Sequence, residues 1–112
     1  MRVAAFTLVL LVVTACASAP IPARNPYANR PEAAQAGAKL FRQHCAACHG
    51  ADARGHASAP SLRSAAVQSL PDPALFSFIT NGVLRQGMPS WSRLPDERRW
   101  QLIAYLRSLD AD

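Results

Sequence analysis

"RQHCAACHG", Arg42 to Gly50, is the stretch on which the reading of this chain turns. Two alanines separate Cys45 from Cys48, and His49 follows at once. Three chemistries begin this way. A redox dithiol needs a βαβ context, with its first cysteine exposed at a helix start. A structural zinc site needs four nitrogen or sulfur ligands, and Cys45, Cys48, His49 and His56 supply them on paper. Covalent haem attachment uses the same signature: two thiols add to two vinyl groups, and the next residue's imidazole lies beneath the iron.

The rest of the chain separates these. The cysteine pair ends a helical pattern and no alternating strand pattern is present, so the dithiol lacks its context. Zinc would leave the apolar residues packed around a small ion, with no second pair of closely spaced ligands. A Cys45–Cys48 disulfide would close a very short, strained loop. Haem accounts for more, and it asks for a second axial ligand. Met88 is the only methionine besides Met1. It stands between Gly87 and Pro89, a poor place for a gap-filling core side chain. A thioether on iron favours the ferrous state and raises the potential. His44 and His56 are its rivals, but His44 adjoins Cys45, and His56 is too close to His49 to reach the other face easily.

Several neighbours complete the candidate site. His49 needs an acceptor for its other ring nitrogen, and the Pro60 carbonyl in "APSL" is one. Trp91 reads either as an indole N–H reaching a haem propionate or as an aromatic lid. Arg54, Arg63 and Arg85 lie in the flanking loops, as propionate partners or as solvated charge.

Three helices are legible. From Glu32 to His44, Ala33, Gly37, Leu40, Phe41 and His44 share one face, and Pro31 suits the first helical position. Gly37 in mid-helix costs about 1 kcal/mol against alanine, which suggests a close backbone neighbour. In "LPDPALFSFITNG", Asp72 caps, Pro73 fits the first turn, Leu75, Phe78 and Ile79 make the stripe, and Gly82 ends the helix. In "PDERRWQLIAYLRSL", Asp96 and Glu97 open the helix and Arg107 closes it, as the macrodipole favours. Leu102, Tyr105, Leu106 and Leu109 line its face, with Trp100 in packing or at a partial surface. Gly50–Leu62 and the segment around Met88 are loops long enough to wrap a ligand.

The 112 residues suit one small domain that needs a staple of some kind. Eleven arginines and one lysine face seven carboxylates, a net charge of +5. They are spread out, with no basic run or aromatic–basic interleaving that would grip nucleic acid. A solvated basic surface and a docking face for an acidic protein both fit.

The N-terminus reads as an address. Arg2 precedes an apolar run from Val3 to Val13, the length of a signal-peptide core and too short to span a bilayer. "VTAC", Val13 to Cys16, resembles the bacterial lipoprotein lipobox, with Val13 where leucine is commoner. That resemblance implies cleavage before Cys16 and a lipid on its thiol. Cleavage after Ala17 or Ala19, or an uncleaved anchor, are the alternatives. Residues 1–15 are thus expected to be signal peptide. Residues 16–31 form a proline-rich tether, with Asn25 to Ala28 placed where they can lie on the domain. Residues 32–112 form the domain.

Taken in order, "GAKLF", "CAACHG", "GHASAPSLR", "ITNG", "GMPSW" and "RWQLIAYLRSL" resemble a small monohaem bacterial cytochrome c. The resemblance spans residues 32–110. It implies an all-α cytochrome c fold, three main helices and long loops around one covalent haem c. It implies Cys45 and Cys48 on the vinyl groups, His49 as proximal ligand and Met88 as distal ligand. It also implies that Gly37 and Phe41 cross Leu102 and Tyr105. Ala59 departs from the family, where glycine is frequent. The expected function is one-electron transfer without catalysis, between an unidentified redox donor and acceptor. The protein is expected on the periplasmic side of a bacterial membrane, lipid-anchored, with the outer membrane preferred because Ala17 follows Cys16. Soluble periplasmic protein is the alternative. A dedicated haem subunit of a periplasmic dehydrogenase, quinoproteins included, is a variant. A haem sensor or enzyme with dissociable Met88 and a zinc interaction module are the rivals.

Overall fold

In the computed structural model, which describes residues 9–15 and 19–112, five helices are connected by long loops. Helix α1 runs Pro31–His44, with proline in its first turn, Glu32 near its start and Arg42 and His44 in its last turn. Both charge placements oppose the helix dipole favourably. Helix α2, Ala46–His49, is a single turn carrying the second cysteine and the histidine. The chain passes from α1 to α2 through Cys45, whose amide still bonds to the Phe41 carbonyl at 2.8 Å. Helix α3, Ala65–Gln68, is a turn capped by the Ser64 side chain and was not legible from periodicity. Helix α4 spans Asp72–Asn81 and α5 spans Asp96–Ser108. A 3-10 turn at Leu84–Gln86 lies between them. Among the described residues the only strand-like pairings are two isolated bridges, His56 with Ala59 and Val83 with Met88.

Packing is organised by the crossing of α1 and α5. A Cβ on Gly37 would lie 2.0 Å from the Gln101 carbonyl oxygen and 2.9 Å from Tyr105 Cβ. The bare glycine therefore lets two helix backbones touch. One turn on, the rings of Phe41 and Tyr105 lie 5.2 Å apart. The partner nearest Gly37 is thus Gln101 rather than Leu102, which is buried in the adjoining core.

Helix α4 differs from the sequence reading in two ways. Pro71, not Asp72, occupies the N-cap, and no side chain caps the helix. The Asp72 carboxylate instead accepts from Arg107, at 3.1 Å from Nε and 2.9 Å from Nη2, and from the Asn25 amide at 2.8 Å. Its long-range partners outcompete the local cap. The buried stripe is Leu75, Phe76 and Ile79, and Phe78 is 47% exposed. Phe76 stacks on Trp100 with ring centroids 4.2 Å apart, so Trp100 is fully a core residue.

Residues assigned above to the tether also join the folded body. Asn25 is buried, donating through Nδ2 to the Trp100 carbonyl at 2.8 Å and accepting at Oδ1 from the Tyr27 amide. Val9 to Val13 are exposed, and no described helix is long and apolar enough to cross a membrane. Cys16, the expected lipidation site, lies outside the described residues.

Candidate functional site

The folds of the loops leave one apolar cavity of about 560 Å³. That lies within the range of small-molecule and cofactor sites. Cys45, Cys48 and His49 border it from the α1–α2 junction, and Pro60 and Leu62 from the following loop. Leu75, Phe78 and Ile79 come from α4, Val83, Gly87, Met88 and Trp91 from the next loop, and Leu102 and Leu106 from α5. Phe78 is therefore exposed into the cavity, which accounts for an aromatic ring left out of the core stripe.

The short α2 turn fixes the first group of residues. The amides of Cys48 and His49 both bond to the Cys45 carbonyl, at 3.2 and 3.0 Å. The turn stops at Gly50, whose φ of 81° disfavours any other residue. His49 Nδ1 lies 3.1 Å from the Pro60 carbonyl oxygen, the acceptor singled out from the sequence. A carbonyl oxygen only accepts, so the hydrogen that bridges the two is carried by His49 Nδ1. Nδ1 is then the protonated nitrogen, and Nε2 keeps its lone pair for a metal. Cys45 is half-buried and Cys48 exposed, and both are free thiols. Burial, with Cys48 adding to it, pushes the Cys45 thiol up to about 11.

Met88 is held differently. It exchanges two backbone bonds with Val83, at 3.0 and 3.2 Å, closing a small loop around the 3-10 turn. A Cβ on Gly82 would lie 2.5 Å from the Met88 carbonyl oxygen, so the backbone also passes tightly there. Trp91 is buried, anchors its amide on the Ile79 carbonyl at 3.0 Å and packs on His44 with centroids 4.8 Å apart. The Arg93 guanidinium lies over its ring, with Cζ 4.3 Å from the centroid. His44 borders the cavity as well, whereas His56 is exposed and does not. Arg54 and Arg63 are engaged with the chain after α5: Arg54 with the Asp112 carboxylate and Arg63 with the Asp110 carbonyl. That role, and the place of Arg99 described below, had no local signal in the sequence.

The donor set suits haem. Two thiols stand two residues apart, an oriented imidazole follows, and a thioether borders the same apolar space. No group of three or more His, Cys, Asp or Glu side chains that would hold a bare metal ion occurs among the described residues, which disfavours the zinc reading.

Comparison with known proteins agrees. Residues 32–106 match the family described as cytochrome C oxidase, cbb3-type, subunit III. The chain is 33% identical over 95 residues to cytochrome c550 of Pseudomonas aeruginosa, covering 81% of this chain and 66% of that protein. Among solved structures it resembles cytochrome CL of the marine methylotroph Methylophaga aminisulfidivorans MPT. The TM-score is 0.69 at 30% identity, over 78% of this chain and 59% of that one. Cytochrome cL of Hyphomicrobium denitrificans, at 24% identity, shares the fold, with a TM-score of 0.67 over 76% of this chain and 52% of that one. The chain thus spans about two thirds or less of the length of each of these relatives.

Proposed function

The chain belongs to the family of cbb3-type cytochrome c oxidase subunit III, a family of c-type cytochromes with covalently bound haem c, and from that premise we propose that it is a one-electron carrier working at the periplasmic face of a bacterial membrane. The observation that carries this is the convergence of Cys45, Cys48, His49 and Met88 on one apolar cavity. Haem, when bound, supplies a one-electron iron couple. Cys45 and Cys48 would hold it by thioether bonds. His49, kept in one tautomer by Pro60, and Met88 would hold its iron. Held by both side chains, the iron would have no open position for oxygen, peroxide or an organic substrate. The apolar walls from α4 and α5 exclude water from the group, which together with the thioether favours the reduced state.

The anchor is proposed on the sequence alone. Cys16 after the apolar run supports lipidation, with the segment between Ala19 and Arg24 as the spacer that keeps the carrier near membrane-bound partners. The donor and acceptor are proposed to be redox proteins.

Met88→Ala tests the site. The variant is expected to lose the low-spin spectrum and to have a lower reduction potential, and an unchanged spectrum would remove Met88 from the iron. Carbon monoxide added to the reduced wild type tests the carrier reading. Little binding at neutral pH is expected, and rapid, complete binding would favour a sensor or enzyme.

A further inference from the structure

Arg99 is the one buried cationic side chain among the described residues, 6% exposed on α5. It does not border the cavity, and its nearest carboxylate partner, Asp96, is 77% exposed. A buried guanidinium with so weakly buried a counter-charge is costly unless its donors are otherwise used. They are. Nε donates to the Leu94 carbonyl at 3.1 Å, Nη1 to the Thr80 hydroxyl and Nη2 to Asp96. The plane lies over Phe76, with Cζ 4.6 Å from the ring centroid.

The two neutral partners flank the loop that carries Met88. Thr80 ends the stem before it and Leu94 lies in the stem after it. Thr80 passes its own hydroxyl hydrogen to the Phe76 carbonyl at 2.7 Å, so its oxygen is free to accept from Arg99. Its carbonyl accepts from Ser90 Oγ at 2.6 Å, two residues past Met88. The neighbouring Ile79 carbonyl takes the Trp91 amide at 3.0 Å, and the Leu94 amide bonds to the Trp91 carbonyl at 3.0 Å. Arg99 thus ties both stems of one loop to a single point on α5.

We propose that Arg99 is a positioning residue for Met88: its fork clamps the two stems at Thr80 and Leu94, and so sets how readily the thioether leaves the iron. This rests on the reading of Met88 as the distal ligand. A lysine carries the charge but has no planar fork to hold two stems at once.

The test uses the haem-loaded protein and imidazole as an entering ligand for the ferric form. At saturating imidazole the binding rate is limited by departure of the distal ligand. Arg99→Met, which keeps packing over Phe76, is expected to raise that limiting rate about tenfold or more, the worth of one charge-assisted hydrogen bond. Arg99→Lys is expected to raise it too, although its charge is retained. A shift of reduction potential in Arg99→Met alone would report the charge, whereas faster ligand entry in both reports the clamp. Thr80→Val serves if Arg99→Met fails to fold, and is expected to act in the same direction. Limiting rates equal to wild type in these variants, with Met88→Ala showing the loss of low-spin character, overturn the proposal. An unchanged Met88→Ala spectrum instead overturns the ligand assignment beneath it.

Discussion

Gly37→Ala should unfold this domain more easily, against the ordinary preference of helices for alanine. In an exposed helix the change stabilises by about 1 kcal/mol. Here the added Cβ would sit 2.0 Å from the Gln101 carbonyl oxygen, 2.6 Å from its carbon and 2.9 Å from Tyr105 Cβ. Two of these three atoms are backbone of α5, so no rotamer change relieves the clash. The helices would have to open that approach from 2.0 to at least 3.4 Å, where ordinary contact begins. The neighbouring Phe41–Tyr105 contact, at 5.2 Å between centroids, would loosen with it. Overpacking of this sort costs about 3 kcal/mol at the upper end of its usual range. Less the propensity gain, the net loss is about 2 kcal/mol, or a fall in Tm of about 8–16 °C for a domain of this size. Thermal unfolding of the haem-loaded protein, followed by far-UV circular dichroism, measures it. A variant as stable as wild type, or more so, would refute the claim that the two backbones are in contact at this point.

Other outcomes follow from particular contacts. Asn25→Ala should lower stability by about 1–3 kcal/mol, read from the urea midpoint, because the Trp100 carbonyl loses its buried donor and the Tyr27 amide its acceptor. No change would place residues 25–29 outside the cooperative unit. The Ser61 hydroxyl, with Arg54 and Arg63 after it, holds the Asp112 carboxyl below the usual carboxylate range. A depressed folded value means that its contribution is present above about pH 4 and is lost as pH falls through the folded value. Asp112→Asn should therefore melt below wild type at neutral pH, with the difference closing in acid; a gap independent of pH would show that the carboxylate charge is not involved. Cys16→Ser should release the protein from the membrane fraction, and equal retention by both forms would argue against a lipid anchor.

The attachment motif and its helix were legible for a simple reason: Cys45, Cys48 and His49 are covalent neighbours, so their chemistry is written in one line. Met88 could be singled out because a methionine between glycine and proline is poorly placed to fill a core, and the structure sets it at the border of the apolar cavity. Gly37 announced a close approach, although not that the Gln101 carbonyl would be the atom approached. Asp72 misled, because the local rule for helix caps says nothing about Arg107, 35 positions away. Phe78 misled similarly, since periodicity finds an apolar residue but not whether it faces a core or a cavity.

Sequence by itself determined the class of cofactor, the helical character and the candidate residues around it, since these depend on residue type and short spacing. Only the tertiary structure decided what holds them. Arg99 between Thr80 and Leu94 and Asn25 on Trp100 are pairings of a folded surface. Hydrogen bonds across 19 or 75 positions leave no periodic trace, because each partner is satisfied only once the helices have packed.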